Sequence, residues 1–201
     1  MDAVRVALLR DVLSGTEWPG ATRRFAAALR SSVVPRGGGL LLVGTSEYEP
    51  WHLAAHLDDE AAWSGTPELA PTLVRHRPRP GGPAHLAVGL DRVAAARRGE
   101  TLLVVAPGVP APDLLTRVHG ARRAGATVFA LGAPDDDLDA LAHEALAVPR
   151  DGELDVDTVQ HLVSAAAGEN GVAPVRRGRR RVRDRLSRLA DHLTTPPPAR
   201  W

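Results

Sequence analysis

At 201 residues and 21.3 kDa, the chain is long enough for one domain with a sizeable core and short appendages. It has no cysteine, which excludes a disulfide framework, thiol catalysis and cysteine-bound metal. It also has no lysine, which excludes a Schiff-base lysine and a Walker-type phosphate loop.

In chain order, Val4, Leu8, Leu9 and Val12 recur at helical spacing over residues 2–13, which predicts a first helix. A turn at 15–20 leads to a second amphipathic helix that buries Phe25, Ala26, Leu29 and Val33, broken at Pro35 and the glycines 37–39. Leu40-Leu-Leu-Val43 is a buried strand, and Gly44-Thr-Ser-Glu-Tyr-Glu49 is the loop beyond it. Pro50 fits the first turn of a third helix through Trp51, Leu53, Ala54 and Leu57 toward Trp63. Thr72-Leu-Val-Arg-His76 reads as an edge strand, followed by an arginine- and proline-rich link from His76 to Pro83 and a short helix at Leu90, Val93 and Ala94. Thr101-Leu-Leu-Val-Val-Ala106 is an apolar run. Leu114, Leu115, Val118 and Ala121 then mark a helix that Gly125 stops, and Thr127-Val-Phe-Ala-Leu131 is a second apolar run. A short helix at Leu138, Leu141 and Ala142, a strand at 145–148 and a helix from Val156 to Ala167 complete the body. Gly171 to Val175 reads as a linker, and Thr194 to Trp201 as a disordered end.

Short apolar runs alternating with amphipathic helices are the mark of parallel strands buried on both faces. The expected fold is therefore α/β: a three-layer α/β/α sandwich with a parallel sheet of about five strands, a helical N-terminus and a basic C-terminal helix. Residues 1–170 form the α/β domain and 171–201 the linker, basic amphipathic helix and tail. In such sheets ligands sit in loops beyond the carboxyl ends of the strands, which singles out 44–49 and 107–112.

The order of these phrases resembles the sugar isomerase (SIS) domain family. The phrases are Leu42-Val-Gly-Thr-Ser46, then Glu100-Thr-Leu-Leu-Val-Val-Ala-Pro-Gly-Val-Pro-Ala-Pro-Asp-Leu-Leu115, then Ala121-Arg-Arg-Ala-Gly-Ala-Thr-Val-Phe-Ala-Leu131, and last Leu138-Asp-Ala-Leu-Ala-His-Glu-Ala-Leu-Ala-Val-Pro149. The resemblance covers about residues 1 to 168. It implies a protein that binds a carbohydrate derivative, usually a phosphosugar, and isomerises or senses it, commonly as a homodimer. The ligand-binding residues it implies are Gly44, Thr45, Ser46, Glu47, Gly108 and Val109.

The second loop departs from the family pattern. Where Ser-x-Ser-Gly-x-Thr is usual, this chain has Ala106, Pro107, Gly108, Val109, Pro110 and Ala111, with no hydroxyl. Pro107, Pro110 and Pro112 also remove three backbone N–H donors. A hydrogen bond to a charged group contributes about 1.5–3 kcal/mol, so losing several raises a phosphate dissociation constant by orders of magnitude. In the first loop Thr45 and Ser46 offer hydroxyls to a ligand or cap the next helix. Glu47 and Glu49 beside them repel phosphate.

Other constellations carry less. His52 and His56 have zinc-ligand spacing but lack an evident third ligand, and no metal or cofactor is expected. His161 with Glu47 or Glu49 would make an acid–base couple for enediol chemistry; His161 and Glu47 are the weak catalytic candidates. Asp135 to Asp137 reads as an acidic cap. Tyr48, Trp51 and Trp63 line a pocket, a dimer contact or the core.

The net charge of +1 hides an asymmetry: residues 172–201 hold nine arginines and two acids, a charge of +7, which leaves −6 on the residues before them. Val182, Leu186, Leu189 and Leu193 form one apolar stripe, so residues 176–193 suit nucleic acid, an acidic partner or docking on a subunit. Mean hydropathy is −0.14, no 18-residue apolar run occurs, and the first residues carry charges through their apolar stretch. A cytoplasmic protein without a transmembrane segment is the expectation. Three functions stay open: a non-catalytic ligand-sensing or interaction module, a sugar-phosphate isomerase with a remodelled site using Thr45, Ser46, Glu47 and His161, and a dimeric scaffold whose basic tail binds nucleic acid.

Overall fold

A computed structural model describes residues 3–33, 39–78, 81, 83 and 86–169. The linker, arginine-rich segment and end of the chain, at 171–201, lie outside the described residues. So do Pro35, Gly37 and Gly38.

The elements follow in chain order as α1 (Ala3–Val12), α2 (Trp18–Ser32), β1 (Gly39–Val43), α3 (Trp51–Ser64), β2 (Pro71–Val74), α4 (Asp91–Ala94), β3 (Glu100–Ala106), α5 (Pro112–Arg123), β4 (Thr127–Gly132), α6 (Asp136–Leu141), β5 (Glu144–Ala147) and α7 (Val156–Gly168). The five strands form one parallel sheet in the order β2-β1-β3-β4-β5. Because side chains alternate along a strand, β3 sends Leu103 and Val105 to one face and Leu102 and Val104 to the other. The first face packs on α2, α3 and α7 through Phe25, Leu29, Leu53, Leu57, Val159 and Val163. The second packs on α4, α5 and α6 through Val93, Leu114, Val118 and Leu138. The sheet is thus covered on both sides, which is why β1, β3 and β4 read as unbroken apolar runs.

Local chemistry sets the element ends. Asp135 caps α6 by accepting the Leu138 N–H at 2.9 Å, and Asp155 caps α7 by accepting the Thr158 N–H at 2.6 Å; both place a carboxylate at a helix N-terminus. Gly125, with φ of +94°, turns the chain from α5 into β4.

In helix α1 the structure decides which apolar residues face inward. The buried side chains are Val6 and Leu13, with Leu9 half-buried, while Leu8 is 59% and Val12 80% exposed. The spacing 6, 9, 13 fits one helical face as well as 4, 8, 12 does, so periodicity alone does not choose between them. Arg10 pairs with Glu169, the residue just past the end of α7. No helix among the described residues is long and apolar enough to cross a membrane.

Candidate functional site

The order β2-β1-β3 makes the chain reverse direction across the sheet at β1, and the crevice beside such a reversal lies at the carboxyl ends of the strands. Two adjoining clefts open there, with Tyr48 in the wall of both.

The first cleft, ≈ 170 Å³, is lined by residues 44–49 together with Val74, His76 and Arg77. Its floor is a tight turn in which the Tyr48 N–H donates to the Thr45 carbonyl at 3.3 Å. Gly44 is required by close approach: a Cβ there would stand 1.8 Å from the Tyr48 carbonyl oxygen. Arg75 holds Glu49 through two contacts, Nε to Oε2 and Nη2 to Oε1, each 2.8 Å. His76 Nε2 lies 3.0 Å from the Gly44 carbonyl oxygen, so the N–H on that nitrogen donates to it. Thr45 is buried, whereas Ser46 and Glu47 are exposed.

This arrangement revises two expectations. Glu49 is not an open negative charge toward a ligand, because the Arg75 fork neutralises it. Neither Thr45 nor Ser46 caps α3: its N-cap position is Pro50, and no side chain accepts a hydrogen bond there. Pro50 thus stands one residue before the first turn rather than within it.

The second cleft, ≈ 250 Å³, lies between Tyr48, Pro107, residues 148–150 and residues 154–157. Here the Tyr48 hydroxyl donates to Asp157 Oδ1 at 2.5 Å and accepts from Gln160 Nε2 at 2.7 Å, while Gln160 Nε2 also reaches Asp157 Oδ1 at 3.0 Å. Burial, then the bond to Asp157, raises the Tyr48 hydroxyl to about 12. Tyr48 is therefore a proton-bearing clamp between the first loop and α7, unsuited to act as a base at neutral pH.

The residues singled out from the sequence divide between these features. Gly44, Thr45, Ser46 and Glu47 line the first cleft together. Gly108 and Val109 line neither; Gly108 faces the Arg150 guanidinium at ordinary contact distance, and Val109 is 77% exposed. His161 packs edge-on against His56 of α3, ring centroids 4.7 Å apart, and makes no hydrogen bond with Glu47 or Glu49 among the described residues. Trp51 stacks against His52 at 3.5 Å and Trp63 is exposed. Among the described residues no group of three His, Asp or Glu side chains is placed to hold a metal ion. Sequence reading missed Arg75, His76, Arg77, Arg150, Asp157 and Gln160.

Burial of His56 and His161 makes stability depend on pH. Burial is the first cause lowering both imidazoles; His56 and His52 add to it for His161, and Asp59 and Asp157 oppose it for His56 and His161 respectively. Between the depressed folded value and the ordinary one near 6.5 the unfolded chain binds more protons, so this contribution is complete above about pH 6.5 and lost as pH falls through the folded values. Asp155, also lowered, chiefly by its bonds from Thr158, loses its contribution only below the ordinary carboxylate range. Urea midpoints measured between about pH 7.5 and 5 should fall with acid, and the fall should be smaller in His161→Gln. An equal fall in that variant would show that this pair is not the cause.

No protein-family model matches the chain, and no curated protein does. Among solved structures, it is similar to the sugar isomerase domain of an RpiR transcription factor from Sphaerobacter thermophilus, at 17% identity over 84% of this chain and 86% of that one, TM-score 0.48. It is also similar to the NanR protein of Vibrio vulnificus, solved in complex with ManNAc-6P, at 12% identity over 96% of this chain and 73% of that one, TM-score 0.49.

Proposed function

We propose that this chain is a SIS-like, non-catalytic ligand-sensing or interaction module whose first cleft takes a carbohydrate derivative. The observation that carries this reading is the composition of the second loop, residues 106–111, which has no hydroxyl and lacks N–H donors at Pro107 and Pro110. Two further features support it. The first cleft offers the Ser46 hydroxyl, the Glu47 carboxylate and the Arg77 guanidinium, groups that pair with sugar hydroxyls. The acid–base couple of an isomerase is not assembled around His161, whose ring contact is with His56, and proton transfer needs hydrogen-bond reach.

The test compares matched neutral sugars and their phosphates by calorimetry, and follows aldose and ketose phosphates by NMR for interconversion. A phosphate should improve affinity less than about threefold, since a charged donor set worth about 1.5–3 kcal/mol per bond is missing, and no interconversion should occur. Micromolar phosphosugar binding or turnover would overturn the reading.

A further inference from the structure

We propose that the second cleft is a binding site for a small zwitterion, a molecule of amino-acid size that carries one carboxylate and one ammonium. The inference concerns Arg150, Asp155 and Asp157 and does not rest on the ligand assigned to the first cleft.

The cleft contains one cation and two anions, and they are held differently. Arg150 follows β5, and its Nη2 lies 3.8 Å from where a Cβ on Gly108 would be, so the guanidinium lies over the second loop. It takes part in no ion pair among the described residues. A planar guanidinium with free N–H groups suits a carboxylate, which it can grip with two parallel bonds. Asp155 is the N-cap of α7 and Asp157 lies in its first turn, and both are fixed there. Asp155 Oδ1 accepts the Thr158 N–H, and Asp157 Oδ1 accepts from Tyr48 and Gln160. Thr158 also gives Asp155 a side-chain hydrogen bond, while Asp157 Oδ2 takes no hydrogen bond from the described residues, which leaves that oxygen able to receive a ligand N–H beside the Asp155 charge.

Charge decides among ligand classes. With two carboxylates and one guanidinium the cleft is net negative. A sugar phosphate adds negative charge to that excess. A plain amine leaves Arg150 unmatched, and a plain acid leaves the aspartates unmatched. A molecule with both groups answers both, and complementarity of this kind selects partners more than it sets raw affinity. The remaining wall is hydrocarbon, from Pro107, Val148, Pro149 and Leu154, which suits an apolar side chain. A volume of ≈ 250 Å³ falls below the ~300–1,000 Å³ of pockets for drug-sized ligands, which limits the occupant to metabolite size.

The experiment uses the full chain. Each standard amino acid is added singly in a thermal-shift screen, and the best is titrated by calorimetry beside its deaminated acid and its decarboxylated amine. At least one amino acid should raise Tm by several degrees at saturating concentration, and both half-molecules should bind at least tenfold more weakly. Arg150→Gln should weaken the amino acid at least tenfold while the Tm of the unliganded protein stays put, because the side chain is exposed. Any affinity for sugar phosphates should be the same in R150Q as in the parent chain. The proposal is overturned if no amino acid stabilises the protein, if the half-molecules bind as well, or if R150Q binds the amino acid undiminished. Loss of sugar-phosphate affinity in R150Q would also overturn it, by assigning the guanidinium to the other ligand.

Discussion

Gly44→Ala should destabilise the protein by about 3 kcal/mol or more, whereas Gly108→Ala, in the second loop, should cost less than about 0.5 kcal/mol. The two glycines follow central strands of the same sheet, so the contrast isolates geometry. At Gly44 an added Cβ would lie 1.8 Å from the Tyr48 carbonyl oxygen and 2.7 Å from Pro50 Cδ. Those neighbours are backbone and a proline ring, and neither can swing aside as the end of a long side chain can. The turn from Thr45 to Tyr48 must open, and with it the Tyr48 hydroxyl is pulled from Asp157 and Gln160. The half-buried Tyr48 hydroxyl then loses both its partners, adding to the steric cost. At Gly108 the corresponding methyl meets only the Arg150 guanidinium, at 3.8 Å. Urea denaturation measures both: the midpoint should drop sharply for G44A with little change in slope, and stay within error for G108A. A G44A protein as stable as its parent would mean that the first loop does not close as described.

How much of this was open to a reader of the sequence depends on where each interaction's partners lie along the chain. The unit from β3 to β4 is legible because burial on both faces leaves only an opening threonine in each of the runs at 101–106 and 127–131. The caps at Asp135 and Asp155 are local, spanning three residues each; the first was legible from its spacing alone, and the second went unread. The buried face of α1 is not legible, since Leu8 and Val12 are as apolar as Leu9 and Leu13 and only packing on the rest of the body separates them. The clamp of Tyr48 on Asp157 and Gln160 spans more than 100 positions and has no spacing signal at all. The Glu49–Arg75 pair did have one. Once residues 72–76 are taken as a parallel edge strand beside 40–43, the register sets Val74 against Val43, and the residues after each strand must meet. That step places Arg75, His76 and Arg77 on the first loop, and it changes Glu49 from a repelling charge to half of an ion pair.

Phe129→Ala should cost about 3–5 kcal/mol, the largest single effect expected from a side-chain truncation here. Phe129 stands on β4 with 2% of its surface exposed, and its ring meets Phe25 of α2 edge to face, centroids 5.4 Å apart and planes at 89°. The pair joins the helix layer to the sheet, so the hole left by the ring is bounded by β-strand backbone on one side and cannot readily collapse. Edge-to-face geometry contributes about 0.5–1.5 kcal/mol beyond buried area, which a double-mutant cycle of Phe25→Leu with Phe129→Leu should return as the coupling. Against a total of about 5–15 kcal/mol for a domain, the alanine variant approaches the unfolding threshold at physiological temperature, while Val109→Ala on the exposed loop should leave stability within about 0.5 kcal/mol. If the cycle shows no coupling, the rings are filling space without regard to orientation. If F129A costs less than about 1 kcal/mol, α2 does not pack on β4 through this contact, and the layer order on that face of the sheet is wrong.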